Sequence, residues 1–389
     1  MADPTINSPR KATKEELESL QNYHKGGFHQ WPLLIDDCKR HVLRFTTLST
    51  KMRLEQCSKS DFELVRHAPV RIQQLSIFDN EPRHWPFGPQ QFKNVKVRLT
   101  VDEQEQEQEQ KSYELVFSQL GEDAQIRWND GTHSPWIVRN GDFRGEAVKF
   151  AETWLKRCQF EVKRIEVAMS SYPFERSCIN ALPHVHSAKI TAPSVDAFRW
   201  WLQKLPSRLD RLHLATIYPR FDEVLVPSDL LSSEQVSNAT TFYCTCRVDE
   251  AMFDEHRVVA LKNRHFTVTM ARVSDRAMNR LLGEWQSGKR AFQSRTFGCF
   301  ERDDSAELLR GLGAREWDAA FEDQERDFCV QFRRAHRGFD CYQVPSRVDA
   351  AKVLTFAFSN HRFVVVDTAV ARIEMEALRR RNELDDEDL

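Results

Sequence analysis

Two serines in this chain are each followed by apolar side chains four, seven, eight and eleven positions on. After Ser194 these are Phe198, Trp201, Leu202 and Leu205; after Ser274 they are Met278, Leu281, Leu282 and Trp285. The spacing puts four large apolar groups on one stripe of a helix, and serine is a good N-cap because its hydroxyl accepts from an unpaired amide of the first turn. Ala151, Trp154, Leu155 and Cys158 form a weaker copy. Between and after these stripes lie short segments that read as strands: Arg164–Met169, Ser187–Ala192, Arg211–Thr216, Ala239–Thr245, His265–Ala271 and Phe292–Phe300. Their starts lie 23, 24, 28, 26 and 27 residues apart. A recurrence of that length lies near the leucine-rich-repeat range, although the leucine consensus and an asparagine ladder are missing. The spacing predicts a leucine-rich-repeat-like helix–strand solenoid over 144–300; the plainer alternative is an α/β domain with irregular spacing.

The pattern differs elsewhere. Residues 1–27 read as a polar tail. In 28–70 the apolar residues come in small groups, Leu34, Cys38 and Val42, then Met52 and Leu54, then Phe62 and Val65, which predicts short helices. Residues 71–143 are β-rich. Val95, Val97, Leu99 and Val101 alternate with polar residues, as do Tyr113, Leu115 and Phe117, and the glutamine- and glutamate-rich run between them reads as an exposed loop. Asn129-Asp130-Gly131 predicts a hairpin turn between Trp128 and Trp136. Over 301–368 a helix is expected at Ser305–Asp318 and hairpins at Phe328–Tyr342 and Val353–Val366, together capping the array. Residues 369–389 read as a basic helix and an acidic tail. The expected fold class is α/β.

Composition narrows the function. The formal net charge is −2, so no strong field points to nucleic acid or an anionic membrane as a partner. No apolar run is long enough to span a bilayer. The nine cysteines are scattered, as expected of free thiols in the cytoplasm or nucleus. His184-x-His186 and Cys244-x-Cys246 each offer two metal ligands, but neither has a second pair at a suitable spacing, and the cysteines read as core residues of a strand. Phosphate-loop, dinucleotide and nucleophile-elbow signatures are missing. The expectation is a non-enzymatic binding protein with no catalytic residue, metal or cofactor. Trp200 lies off the apolar stripe that holds Trp201, which makes it a candidate contact for a target.

Pro32-Leu33-Leu34, Cys38, His41-Val42-Leu43, Met52-Arg53-Leu54 and Pro69-Val70-Arg71-Ile72 resemble the N-terminal region of a large nematode family with F-box or F-box-like segments followed by F-box-associated domains. Trp154-Leu155 and Glu284-Trp285-Gln286-Ser287-Gly288-Lys289 resemble its C-terminal half. The resemblance implies a substrate-recognition subunit of a cullin-type ubiquitin ligase, whose F-box segment docks on a Skp-type adaptor while the remainder holds a protein target. Carried over by position, Pro32, Leu33, Val42, Leu43 and Leu54 would face the adaptor. The block is more basic than such a segment would be, with Lys39, Arg40, Arg44 and Lys51. The alternative is a stand-alone interaction scaffold that has lost adaptor binding.

Overall fold

The computed structural model describes residues 31–44, 46, 50–51, 54–55, 57–68, 72–79, 94–102, 110–129, 134–157, 162–182, 184–216, 224–248, 261–270, 273–298, 305–359 and 362–373. The expected polar tail, the centre of the glutamine-rich run, the Asp130-Gly131 turn and most of the C-terminal basic segment lie outside the described residues. The chain divides into two compact units, residues 1–70 and 71–389.

The first unit has a 3-10 turn at Trp31–Leu33 and helices α1 (Asp36–Arg44) and α2 (Lys59–Arg66). Leu43, Leu64, Val65 and Ala68 form its core, with Trp31 and Leu54 packed against them.

The second unit is mixed α/β and built on a large, mostly open sheet. The strands are β1 (Ile72–Phe78), β2 (Asn94–Asp102), β3 (Gln110–Leu120), β4 (Asp123–Trp128), β5 (Trp136–Val138), β6 (Val162–Ala168), β7 (Val185–Ala192) and β8 (Arg211–Thr216). They continue with β9 (Leu225–Val226), β10 (Thr241–Val248), β11 (His265–Met270), β12 (Ser294–Gly298), β13 (Arg315–Glu316), β14 (Asp340–Pro345), β15 (Val353–Ser359) and β16 (Arg362–Asp367). β5 back to β1 is an antiparallel meander. From β1 the pairing turns parallel and runs through β6, β7, β8, β10, β11 and β12, with β9 beside the end of β10. β16, β15, β14 and β13 then continue antiparallel from β12.

The helices of this unit are α3 (Phe143–Arg157), α4 (Val195–Lys204), α5 (Ser228–Leu231), α6 (Glu234–Asn238), α7 (Asp275–Gln286), α8 (Ser305–Leu309), α9 (Ala319–Gln324) and α10 (Arg326–Ala335). The serine-led stripes behave alike. Ser194 and Ser274 cap α4 and α7, their hydroxyls accepting from Ala197 and Ala277 amides at 3.2 Å in each case. All eight apolar residues of the two stripes are buried. Ala151, Trp154 and Leu155 are buried on α3, which packs on β1–β4, while α4 packs on β7.

Two C-terminal expectations are corrected. Phe328–Tyr342 is not a hairpin: Phe328, Cys329 and Phe332 repeat at helical spacing on α10 and pack against Trp317, and only Asp340 onward is strand. The helix expected over Ser305–Asp318 stops at Leu309, because Gly311 and Gly313 take φ of 71° and 60° in the left-handed region. The β15–β16 hairpin forms where expected.

Parallel strands are ordinarily apolar on both sides, since helices cover both faces of such a sheet. Here β6 to β12 alternate. Ile165, Ala188, Leu212, Phe242 and Phe266 line up across neighbouring strands on the buried side, as do Val167, Ile190, Leu214, Cys244, Val268 and Phe297. On the opposite side, Glu166, Lys189, His213, Tyr243, Thr267 and Thr296 line up and are only partly buried. Only one side of the parallel run is fully packed, and the other presents a polar row.

Candidate functional site

The residues carried over for adaptor docking all fall in the first unit, and their exposure separates them. Leu33 is 82% exposed and Val42 39% exposed, and Pro32 also faces outward. Ile35, not singled out from sequence, is 69% exposed. Ile35 immediately precedes α1, and Ile35, Cys38 and Val42 are spaced three and then four residues apart, so the three lie toward one side of α1. Leu43 departs from the expectation. It is fully buried at the centre of the block, one position round the helix from Val42, and Leu54 is half-buried against the same cluster. These two leucines hold α1 to α2; they are not part of the outward row. Phe62 adds a second exposed apolar group on α2, at 42%.

The block is fixed by a buried carboxylate. Asp61 accepts from the Trp31 indole at 2.7 Å and from the Ser58 hydroxyl at 2.7 Å, while the Ser58 oxygen accepts from the Asp61 amide at 3.0 Å. Ser58 thereby caps α2, and Asp61 ties the Trp31 turn to that helix across 30 residues. The Ser-x-x-Asp spacing is a capping-box signature legible in the sequence; the indole partner is not, since nothing local specifies it. The excess of cations is partly internal. Lys39 is buried with its ammonium 5.8 Å from the centre of the Trp31 ring, and Arg40 pairs with Asp37 at 2.9 Å.

Trp200, the candidate target contact, is half-buried in an aromatic stack. Its ring lies 4.9 Å from Phe174, 5.6 Å from Tyr172 and 4.9 Å from Trp201, and Lys204 covers it at 5.2 Å. Tyr172 in turn donates to the buried Glu152 at 2.8 Å, which also accepts from the Ser177 hydroxyl and the Cys178 amide at 2.6 Å each. Burial beside that carboxylate pushes the Tyr172 phenol well above its ordinary range. Trp200 is therefore a clasp on the segment between β6 and β7.

Cys244 and Cys246 are fully buried on one side of β10, and the hydrogen bond between the two thiols, with burial second, raises the Cys246 thiol. Cys244 sits in register between Leu214 and Val268. The His186 side chain lies 3.5 Å from Asp210 at the starts of β7 and β8. Among the described residues no group of three or more His, Cys, Asp or Glu side chains is placed to hold a metal. No helix among the described residues is long and apolar enough to cross a membrane.

No family model matches the chain, and no solved structure matches it. An uncharacterized F-box protein of Caenorhabditis elegans is 31% identical over 367 residues, covering 92% of this chain and 93% of that protein. Similarity of that extent runs through both compact units, and the chain belongs to the family of nematode F-box proteins.

Proposed function

We propose that this protein is a non-enzymatic substrate-recognition subunit of a cullin-type ubiquitin ligase, acting in the cytoplasm or nucleus. Its helical block docks on a Skp-type adaptor, and its second unit holds a protein target. The observation that carries the reading is the outward row of Leu33, Ile35 and Val42 on a block whose own core is already filled by Leu43, Leu64 and Val65. Ile35 and Val42 lie seven residues apart, two turns of helix, and exposed aliphatic side chains so spaced are what a partner's groove takes up. In the same reading the parallel run β6 to β12 is a leucine-rich-repeat-like solenoid and β13 to β16 cap it. The order of the strands supports this, since β6, β7, β8, β10, β11 and β12 lie side by side in the order of the sequence, with β9 off that path beside β10.

The test is capture of a Skp-type adaptor by the full chain. Ile35→Asp with Val42→Asp is expected to lower the recovered adaptor at least tenfold while the melting temperature holds, because both sites face solvent. Ile373→Asp, an equally exposed apolar site outside the block, is expected to leave recovery unchanged. Equal recovery from the double variant and the unmodified chain sinks the docking claim and favours a stand-alone scaffold that has lost adaptor binding.

A further inference from the structure

We propose that the open side of β6 to β8, with Tyr243 of β10, is the surface that holds the target, and that the target presents an acidic segment to it. This rests on the reading of the second unit as a target-binding unit and adds where and what it binds.

The strand register builds the surface. Arg164 and Glu166 of β6, Lys189 of β7, and Arg211 and His213 of β8 all project to the side opposite the packed apolar rows. Glu166 is the only carboxylate on that patch among the described residues, and it is already engaged. It pairs with Lys189, lies 3.8 Å from Arg164 and accepts from Gln74 at 3.3 Å. Arg211 has no carboxylate partner among the described residues; its guanidinium sits 5.7 Å from the centre of the Tyr243 ring. His213 packs edge-on against the same ring at 6.1 Å, and its Nε2 is buried without a hydrogen-bond partner. The patch therefore carries three cations against one carboxylate, on a chain whose formal net charge is −2.

The row continues in one direction onto β2 and β3, where Arg98 donates to Glu114 at 2.9 Å and Lys96 lies 3.7 Å from it. That again leaves one positive charge in excess. In the other direction it continues through Thr267 and Thr296, which are neutral. A surface with surplus cations and hydroxyls in regular register is complementary to carboxylates on an extended segment. The carboxylates of Glu166 and Glu114 and the scarcity of stacking rings count against a nucleic acid, which needs cations and free aromatic faces together.

The full chain is titrated by fluorescence anisotropy with four labelled probes: a twelve-residue oligoglutamate, a twelve-residue oligolysine, a neutral Gly-Ser peptide of the same length, and oligothymidylate. Oligoglutamate is expected to bind, oligolysine and the neutral peptide not to. Arg164→Ser, Lys189→Ser and Arg211→Ser together are expected to weaken oligoglutamate at least tenfold. Arg276→Ser, Arg310→Ser and Arg326→Ser, the same charge change at other exposed positions, are expected to change it less than twofold. Arg211→Ser alone, which disturbs no ion pair within the described residues, is expected to weaken binding several-fold with an unchanged melting temperature. The idea is overturned if oligoglutamate does not bind, if the two triple variants weaken it equally, or if oligothymidylate binds more tightly. Adaptor capture is measured on the same variants. Loss of the acidic probe with adaptor retained separates this surface from the docking block. The converse result, adaptor lost with the acidic probe still bound, is expected of Ile35→Asp with Val42→Asp, and adaptor retained by that double variant would sink docking alone.

Discussion

His213 shows how a single side chain is set by its place in the sheet. Burial comes first in lowering its pKa, and the Lys189, Arg164 and Arg211 charges add to it against the opposing pull of Glu166. The folded imidazole gives up its proton near 4, against an ordinary value of 6.5. Below about 6.5 the unfolded chain takes up a proton that the folded chain refuses, so stability falls as pH drops through that window and levels off below about 4. His336, similarly depressed by burial and Arg362, acts in the same direction over the same window. Denaturation midpoints measured at pH 7 and pH 5 are expected to differ less for His213→Gln than for the unmodified chain; an unchanged difference would show that the buried neutral imidazole contributes nothing. Trp200 and Leu43 make a related point. Their residue types and helix positions fit contact surfaces, yet packing with partners far away in the chain, Phe174 for one and Leu64 for the other, decides their role.

At the scale of elements, the capped amphipathic helices and most strands of the parallel run were legible because their signals are local. Ser194 and Ser274 cap where the apolar period begins, and Arg164, Ser187 and Arg211, read as strand starts, are Cα partners across β6, β7 and β8. The open side of the sheet was therefore recoverable by aligning those starts and reading alternate positions. The region after Glu301 was less legible. The paired aromatics around Phe328 and Phe332 suit a strand as well as a helix, and their burial on Trp317 selects the helix. One strand contact depends on a missing side chain: a Cβ at Gly298 would lie 1.8 Å from the Thr269 carbonyl oxygen of β11. Gly298→Ala must push β12 away from β11, at a cost of about 1–3 kcal/mol. A urea denaturation midpoint unchanged by this substitution would contradict so close an approach.

At the scale of the molecule, two units carry two kinds of surface: a small helical block with an outward aliphatic row, and a sheet whose parallel run leaves a polar, cation-rich side. The outward row was half visible in the sequence. Pro32, Leu33 and Val42 came from family resemblance, whereas Ile35 emerged only when the burial of Leu43 fixed the rotation of α1. The central claim is that the block is the adaptor's docking site, and hydrogen–deuterium exchange on the full chain with and without a Skp-type adaptor measures it most directly. New protection confined to residues 31–44 and 58–68 is the predicted result. Exchange unaltered there, or protection falling on the strands of the second unit instead, would contradict it.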